Sequence, residues 1–139
     1  PDIGSMSSTH SANPIVCAAG RANLLCLFDD GLIEASRELG AIFHEKLEDI
    51  RNRFSEHLSC VQGRGLLAGL LFKDNSGNPL VSLCDAIAEL CMQRGLLVVH
   101  TGRESIKLAP PLSISKEAMF EGLSVLEQSI ADSISENKR

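Results

Sequence analysis

Leu58-Ser59-Cys60-Val61-Gln62-Gly63-Arg64-Gly65-Leu66-Leu67-Ala68-Gly69-Leu70-Leu71-Phe72 is the stretch that decides how this chain folds. Leu58 to Val61 is short and strand-like, Gln62-Gly63-Arg64-Gly65 interrupts it, and an apolar run resumes from Leu66 to Phe72. A run of that length without polar alternation fits a buried strand better than a free edge. Gly63 and Gly65 ask for a bend, a bulge or a close approach of backbone. Arg64 between them is expected to face solvent in a turn, with a carboxylate partner as the alternative.

On the N-terminal side, Leu32, Ala35, Leu39, Ile42, Phe43, Leu47, Ile50 and Phe54 recur at helical spacing, opposite a charged face. On the C-terminal side, the turn-rich Lys73–Pro79 loop leads into a third helix marked by Leu80, Leu83, Cys84, Ile87 and Cys91. Arg94-Gly95 stops that helix. Leu96 to His100 and Ile106 to Ala109 are expected strands, the second ended by Pro110-Pro111 because proline cannot continue a ladder. Ser115 should cap a last helix with Met119, Phe120, Leu123, Leu126, Ile130 and Ile134 inward, and Ser135 to Arg139 should fray. The predicted class is α+β: a small antiparallel sheet of about three or four strands packed on helices and preceded by a helix pair.

The first of that pair begins at Asn13-Pro14, a cap residue followed by a proline at the first helical position. Its apolar residues (Ile15, Val16, Leu24, Leu25 and Phe28 among them) run almost all round, so in isolation it should expose a sizeable apolar surface. Asp29-Asp30-Gly31 ends it. Four hydroxyls precede the helix, on Ser7, Ser8, Thr9 and Ser11. On local chemistry two readings stand: an ordinary serine-rich loop with a good cap, or a site for phosphate or carboxylate.

The chain has 139 residues, 44% hydrophobic and 22% charged, in the range of one globular domain. A net charge of −5, scattered basic residues and no Trp or Tyr argue against a nucleic-acid surface. No apolar run reaches the length of a membrane span, and no signal-peptide pattern opens the chain. A first residue other than Met is read as a piece of something longer. Cys17, Cys26, Cys60, Cys84 and Cys91 have neither paired nor metal-ligand spacing and are expected to be small core residues in a reducing cytosol. Cys84 and Cys91 lie about 10.5 Å apart along one helical face, too far for a disulfide. His44 and His57 are expected at the surface; for His10 and His100 an approach to a cleft is the minor alternative.

Thr9-His10-Ser11-Ala12-Asn13-Pro14 followed by Cys17-Ala18-Ala19 resembles the T-x-x-x-N-P…A-A segment of class III aminotransferases. Val61-Gln62-Gly63-Arg64-Gly65-Leu66-Leu67-Ala68-Gly69 is similar to their V-R-G-x-G-L-M-x-G strand pair. Gly95-Leu96-Leu97-Val98 with Ile106-Lys107-Leu108-Ala109-Pro110-Pro111-Leu112 resembles their G-L-L…I-R-x-x-P-P-L close. Three motifs in family order make the phosphate reading the favoured one. The resemblance covers the C-terminal third of such an enzyme. It implies pyridoxal 5'-phosphate as cofactor, a cytoplasmic homodimer, and small amine and keto-acid substrates, with no nucleic-acid or membrane partner.

The resemblance further implies that Thr9, with Ser8 beside it, binds the cofactor phosphate in the neighbouring subunit. Residues 1–13 would be the approach segment and 14–139 the small domain closing one side of the substrate cleft. The family's Schiff-base lysine lies upstream, so no catalytic residue is assigned here and the chain alone should be inactive. Where members that bind an α-carboxylate carry arginine, this sequence has Lys107, a single charged point rather than a fork. Lys107 and nearby Arg103 are the candidate substrate-binding residues. The competing reading puts Lys107 on the solvated face of an edge strand. A mutase, a decarboxylase or a non-catalytic binding module on the same small domain are the alternatives for function.

Overall fold

The computed structural model describes residues 12–136. Their order is α1 (Pro14–Asp29), α2 (Leu32–Arg53), β1 (Leu58–Arg64), β2 (Leu67–Phe72), α3 (Val81–Gln93), β3 (Val99–His100), β4 (Ser105–Leu108) and α4 (Lys116–Glu136). The chain divides into two compact units, residues 1–34 and 35–139.

In the first unit, α1 begins as its sequence requires. Asn13 takes the extended conformation of a cap, its side-chain oxygen accepts from the Ile15 N–H at 2.9 Å, and Pro14 follows at the first helical position. Asp30 closes the helix by donating its N–H to the Cys26 carbonyl. α1 buries none of its residues; Ile15 and Phe28 remain 80% and 68% exposed. The expected apolar surface is present, and the same finding overturns the expectation of five core cysteines. Cys17 and Cys26 are exposed, Cys60 is half-buried, and only Cys84 and Cys91 are buried. An apolar helix needs a partner to bury its thiols, and within its own unit, residues 1–34, α1 has none among the described residues.

In the second unit the sheet is antiparallel throughout, in the order β1-β2-β4-β3. β2 is therefore an inner strand, as its unbroken apolar run requires. Ala68 faces Leu108 and Leu70 faces Ile106 across the β2–β4 ladder, and all four are buried. With Phe72 they meet Phe43, Leu47 and Ile50 of α2, Leu83, Cys84 and Ile87 of α3, and Met119, Leu126 and Ile130 of α4 in one core. Full burial of a side chain such as Phe72 or Ile106 contributes about 1.5–3 kcal/mol.

Three boundaries differ from the sequence expectation. β1 runs through Gln62-Gly63 to Arg64 instead of breaking at Gln62, because Gly63 pairs with Ala68 and leaves no space for a side chain. A Cβ there would lie 2.0 Å from the Leu67 carbonyl oxygen. The close-approach reading of the glycines therefore holds, while the register shift of the β1–β2 ladder lies at Ser59, between Leu58 and Cys60. β3 is only Val99–His100, because the backbone before it finishes α3: Gly95 (φ 84) donates to the Met92 carbonyl and Leu96 to the Cys91 carbonyl. That two-bond cap uses the Leu96 amide, so pairing with β4 starts at Val99. Finally, α4 holds Ser135 and Glu136 in helix, Ser135 Oγ donating to the Ala131 carbonyl at 2.9 Å. Residues 137–139 lie outside the described residues.

Candidate functional site

β4 alternates as a sheet strand must: Ile106 and Leu108 point inward and Lys107 outward. Lys107 faces Gly69 of β2 on one side and Val99 of β3 on the other. β4 is paired along both edges, so the edge-strand reading of Lys107 does not hold. Gly69 beside it carries no side chain, which leaves the lysine stem room on that flank. Lys107 lines a cleft of about 310 Å³ together with Leu96, Leu97, Val99, Pro110 and Pro111, and the cleft floor is formed by apolar residues of α2 and α4. Lys107 is the one charged residue lining it. Chemically this is an apolar trough of a size for a small molecule with an apolar body, with Lys107 among its lining residues and the Lys107 side chain exposed on the side of β4 opposite Ile106 and Leu108.

Arg103 lies four residues before Lys107, exposed in the turn joining β3 to β4. The turn is closed by the Thr101 N–H donating to the Ser105 carbonyl at 3.1 Å, and by a 2.7 Å bond between the Thr101 and Ser105 hydroxyls. β2 holds its far side: the Phe72 N–H donates to the Glu104 carbonyl at 2.7 Å, and Lys73 Nζ lies 3.9 Å from Glu104 Oε1. His100 is not among the residues that line this cleft. Its Nδ1 lies 2.7 Å from Asp85 Oδ1 on α3, and its Nε2 lies 2.7 Å from the Arg103 carbonyl oxygen. No sequence signal could have paired His100 with Asp85, which stand on different elements without motif spacing. His10 lies outside the described residues. His44 is half-buried with its Nε2 shielded from solvent, and its ring meets Phe43 edge-on at 5.6 Å.

Thr9 and Ser8, the expected phosphate contacts, lie outside the described residues; what can be tested is the backbone they lead into. Ala12 has φ 58, a left-handed conformation that costs an L-residue about 1–2 kcal/mol. The first turn of α1 has few amides to spare for an anion. Pro14 has none, the Ile15 N–H is taken by the Asn13 side chain, and that of Cys17 by the Asn13 carbonyl at 2.9 Å. Among the described residues no cluster of His, Cys, Asp and Glu could hold a metal ion, and no helix is long and apolar enough to cross a membrane.

A small antiparallel four-stranded sheet backed by helices, ending at the Pro110-Pro111 strand stop, defines a mixed α+β unit. Residues 1–130 match the family described as aminotransferase class-III, and the chain belongs to that family. It is 36% identical over 114 residues to an ornithine aminotransferase of Bordetella pertussis, covering 82% of this chain and 26% of that protein. It is 30% identical over 135 residues to a 4-aminobutyrate aminotransferase of Mycobacterium tuberculosis, covering 95% and 30%. The acetylornithine aminotransferase structure from Elizabethkingia anophelis superposes with a TM-score of 0.79 at 29% identity, covering 95% of this chain and 32% of that one. The chain thus spans about a quarter to a third of the length of the relatives it matches.

Proposed function

We propose that this chain is the C-terminal part of a pyridoxal-phosphate-dependent aminotransferase, moving an amino group between a small amine and a keto acid or aldehyde. Residues 14–139 are its small domain and residues 1–13 the approach carrying Thr9 and Ser8 to the cofactor phosphate of a partner subunit. The whole protein is a cytoplasmic homodimer. When bound, the cofactor supplies the electron sink for the chemistry, and the protein's part is to hold and orient it and the substrate.

One observation carries the assignment of roles within this chain: Lys107 is the single cation lining an apolar trough, on a strand paired at both edges. Its ammonium attracts an anionic group on the substrate, and Arg103 offers a second positive charge from the adjoining turn. A lysine holds a carboxylate as a point charge without the two-pronged geometry of arginine, so it tolerates more than one carboxylate orientation. That fits a family whose relatives are named for ornithine and for 4-aminobutyrate.

The test is to express the complete reading frame, load it with pyridoxal phosphate and assay transfer from a panel of amines to keto acids. Transfer that is absent from the 139-residue chain and present in the complete protein is the expected result. A complete protein that binds the cofactor yet only isomerises or decarboxylates amino acids would contradict the reading, as would one that binds no cofactor.

A further inference from the structure

The Arg103 turn is pinned from two sides, and one of the pins is a histidine with an unusual pair of partners. His100 Nδ1 faces the Asp85 carboxylate and Nε2 faces the Arg103 carbonyl, both at 2.7 Å. Both partners are acceptors. A neutral imidazole has one N–H and one lone pair, so it would satisfy one contact and set lone pair against lone pair at the other. Only the ring protonated on both nitrogens donates to both. His100 is shielded, with 14% of its side chain exposed, whereas Asp85 is 67% exposed. The charged and titratable groups gathered at this end of the sheet are Asp85 and the buried Cys84 thiol from α3, Arg103 and Glu104 from the turn, and Lys73 after β2.

We propose that His100 is a positioning residue: its two ring nitrogens tie the Asp85 carboxylate to the Arg103 carbonyl and so fix the turn that carries Arg103 and leads into β4 with Lys107, the two residues that meet an anionic substrate. It rests on the substrate-binding reading of those two residues given above. The bridge fastens the α3 side of the turn, and the Phe72 amide fastens the β2 side. A turn held at both flanks presents Arg103 and the start of β4 in one geometry, so ordering it does not have to be repeated each time substrate binds. Without the bridge, the Thr101–Ser105 closure would hold that side of the turn alone and would open more often.

The experiment uses the complete holoenzyme with Asp85→Ala and His100→Gln, each read two ways. Hydrogen exchange over residues 99–105 reports the turn; KM and kcat are measured for a carboxylate-bearing amine and for one without a carboxylate. Exchange at the Thr101 amide should quicken about threefold in Asp85→Ala and about tenfold in His100→Gln. KM for the carboxylate substrate should rise by similar factors with kcat unchanged, and KM for the carboxylate-free amine should not move. The double variant should be no worse than His100→Gln, because the two residues act as one unit. Asp85 is exposed, so its variant folds even if His100→Gln does not. Unchanged exchange in Asp85→Ala would overturn the bridge. Faster exchange with an unmoved KM would overturn the positioning role while Lys107→Ala and Arg103→Ala still raise KM. If those two are also silent, the substrate-binding reading falls and takes this inference with it.

Discussion

Gly40 of α2 and Gly65 of the β1–β2 turn pack backbone against backbone: a Cβ built on Gly40 would lie 2.5 Å from the Gly65 Cα. Gly40 is buried, and its neighbour cannot retreat, since Gly65 is the link of a hairpin whose strands are registered up to Arg64–Leu67. The contact sets how closely α2 approaches the hairpin and seats Phe43 and Leu47, the next buried residues of α2, in the core.

Gly40→Ala should therefore destabilise the fold by about 3 kcal/mol, the upper part of the range for overpacking against a rigid neighbour. Gly122→Ala is the control. It too lies inside a helix, but its added Cβ would meet only the end of the Leu96 side chain, at 3.4 Å. Removing a mid-helix glycine there should leave stability unchanged or raise it by about 0.5–1 kcal/mol. Denaturant midpoints of the two variants check the pair.

The cysteines should divide by reactivity. Cys17 and Cys26 on α1 are exposed and should be alkylated in the native chain, while Cys84 and Cys91 are buried and should be protected until unfolding. Burial pushes both buried thiols up; for Cys91 the Ser129 hydroxyl and Arg94 work partly against it. Mass mapping after timed iodoacetamide treatment reads this directly. Rapid labelling of Cys84 under native conditions would contradict the core described above.

Alkaline stability follows from the same burial. The Cys84 thiol is pushed up to about 12, first by desolvation and then by Asp85 and Glu104. The unfolded chain ionises this thiol near pH 9 while the folded chain keeps it protonated, so the unfolded state binds fewer protons in between. The contribution is fully present below pH 9 and is lost as pH rises towards 12, at no more than about 1.4 kcal/mol per pH unit. Cys84→Ala should flatten that part of the stability–pH curve, measured by urea unfolding across it.

The sequence made the helices legible because their signals are local. Asn13-Pro14 specifies its own start, and Ser115 caps α4 by accepting from the Ala118 N–H at 3.1 Å. The inner position of β2 was legible from an apolar run that only burial on both flanks explains. What escaped depended on tertiary partners. The Leu96 amide is claimed by the end of α3, which shortens β3, and a Gly63 able to lie under the Leu67 carbonyl lets β1 run on. The α1 cysteines look like core residues because α1 is apolar, and apolarity states a need for burial without meeting it. Alternation placed Lys107 opposite its neighbours, but only strand order could tell that β4 is not an edge. The His100 bridge left no trace in the sequence at all.

The central claim is that Lys107 binds an anionic group of the substrate, and the most direct measurement is the specificity constant of Lys107→Ala in the complete enzyme. It should be compared with Arg103→Ala on amines with and without a carboxylate. Losing a hydrogen bond to a charged partner costs roughly 1.5–3 kcal/mol, so kcat/KM for carboxylate substrates should fall about ten- to a hundredfold. Carboxylate-free amines should be affected little. An unchanged kcat/KM for Lys107→Ala on every substrate would contradict the account and leave Lys107 a solvated surface lysine.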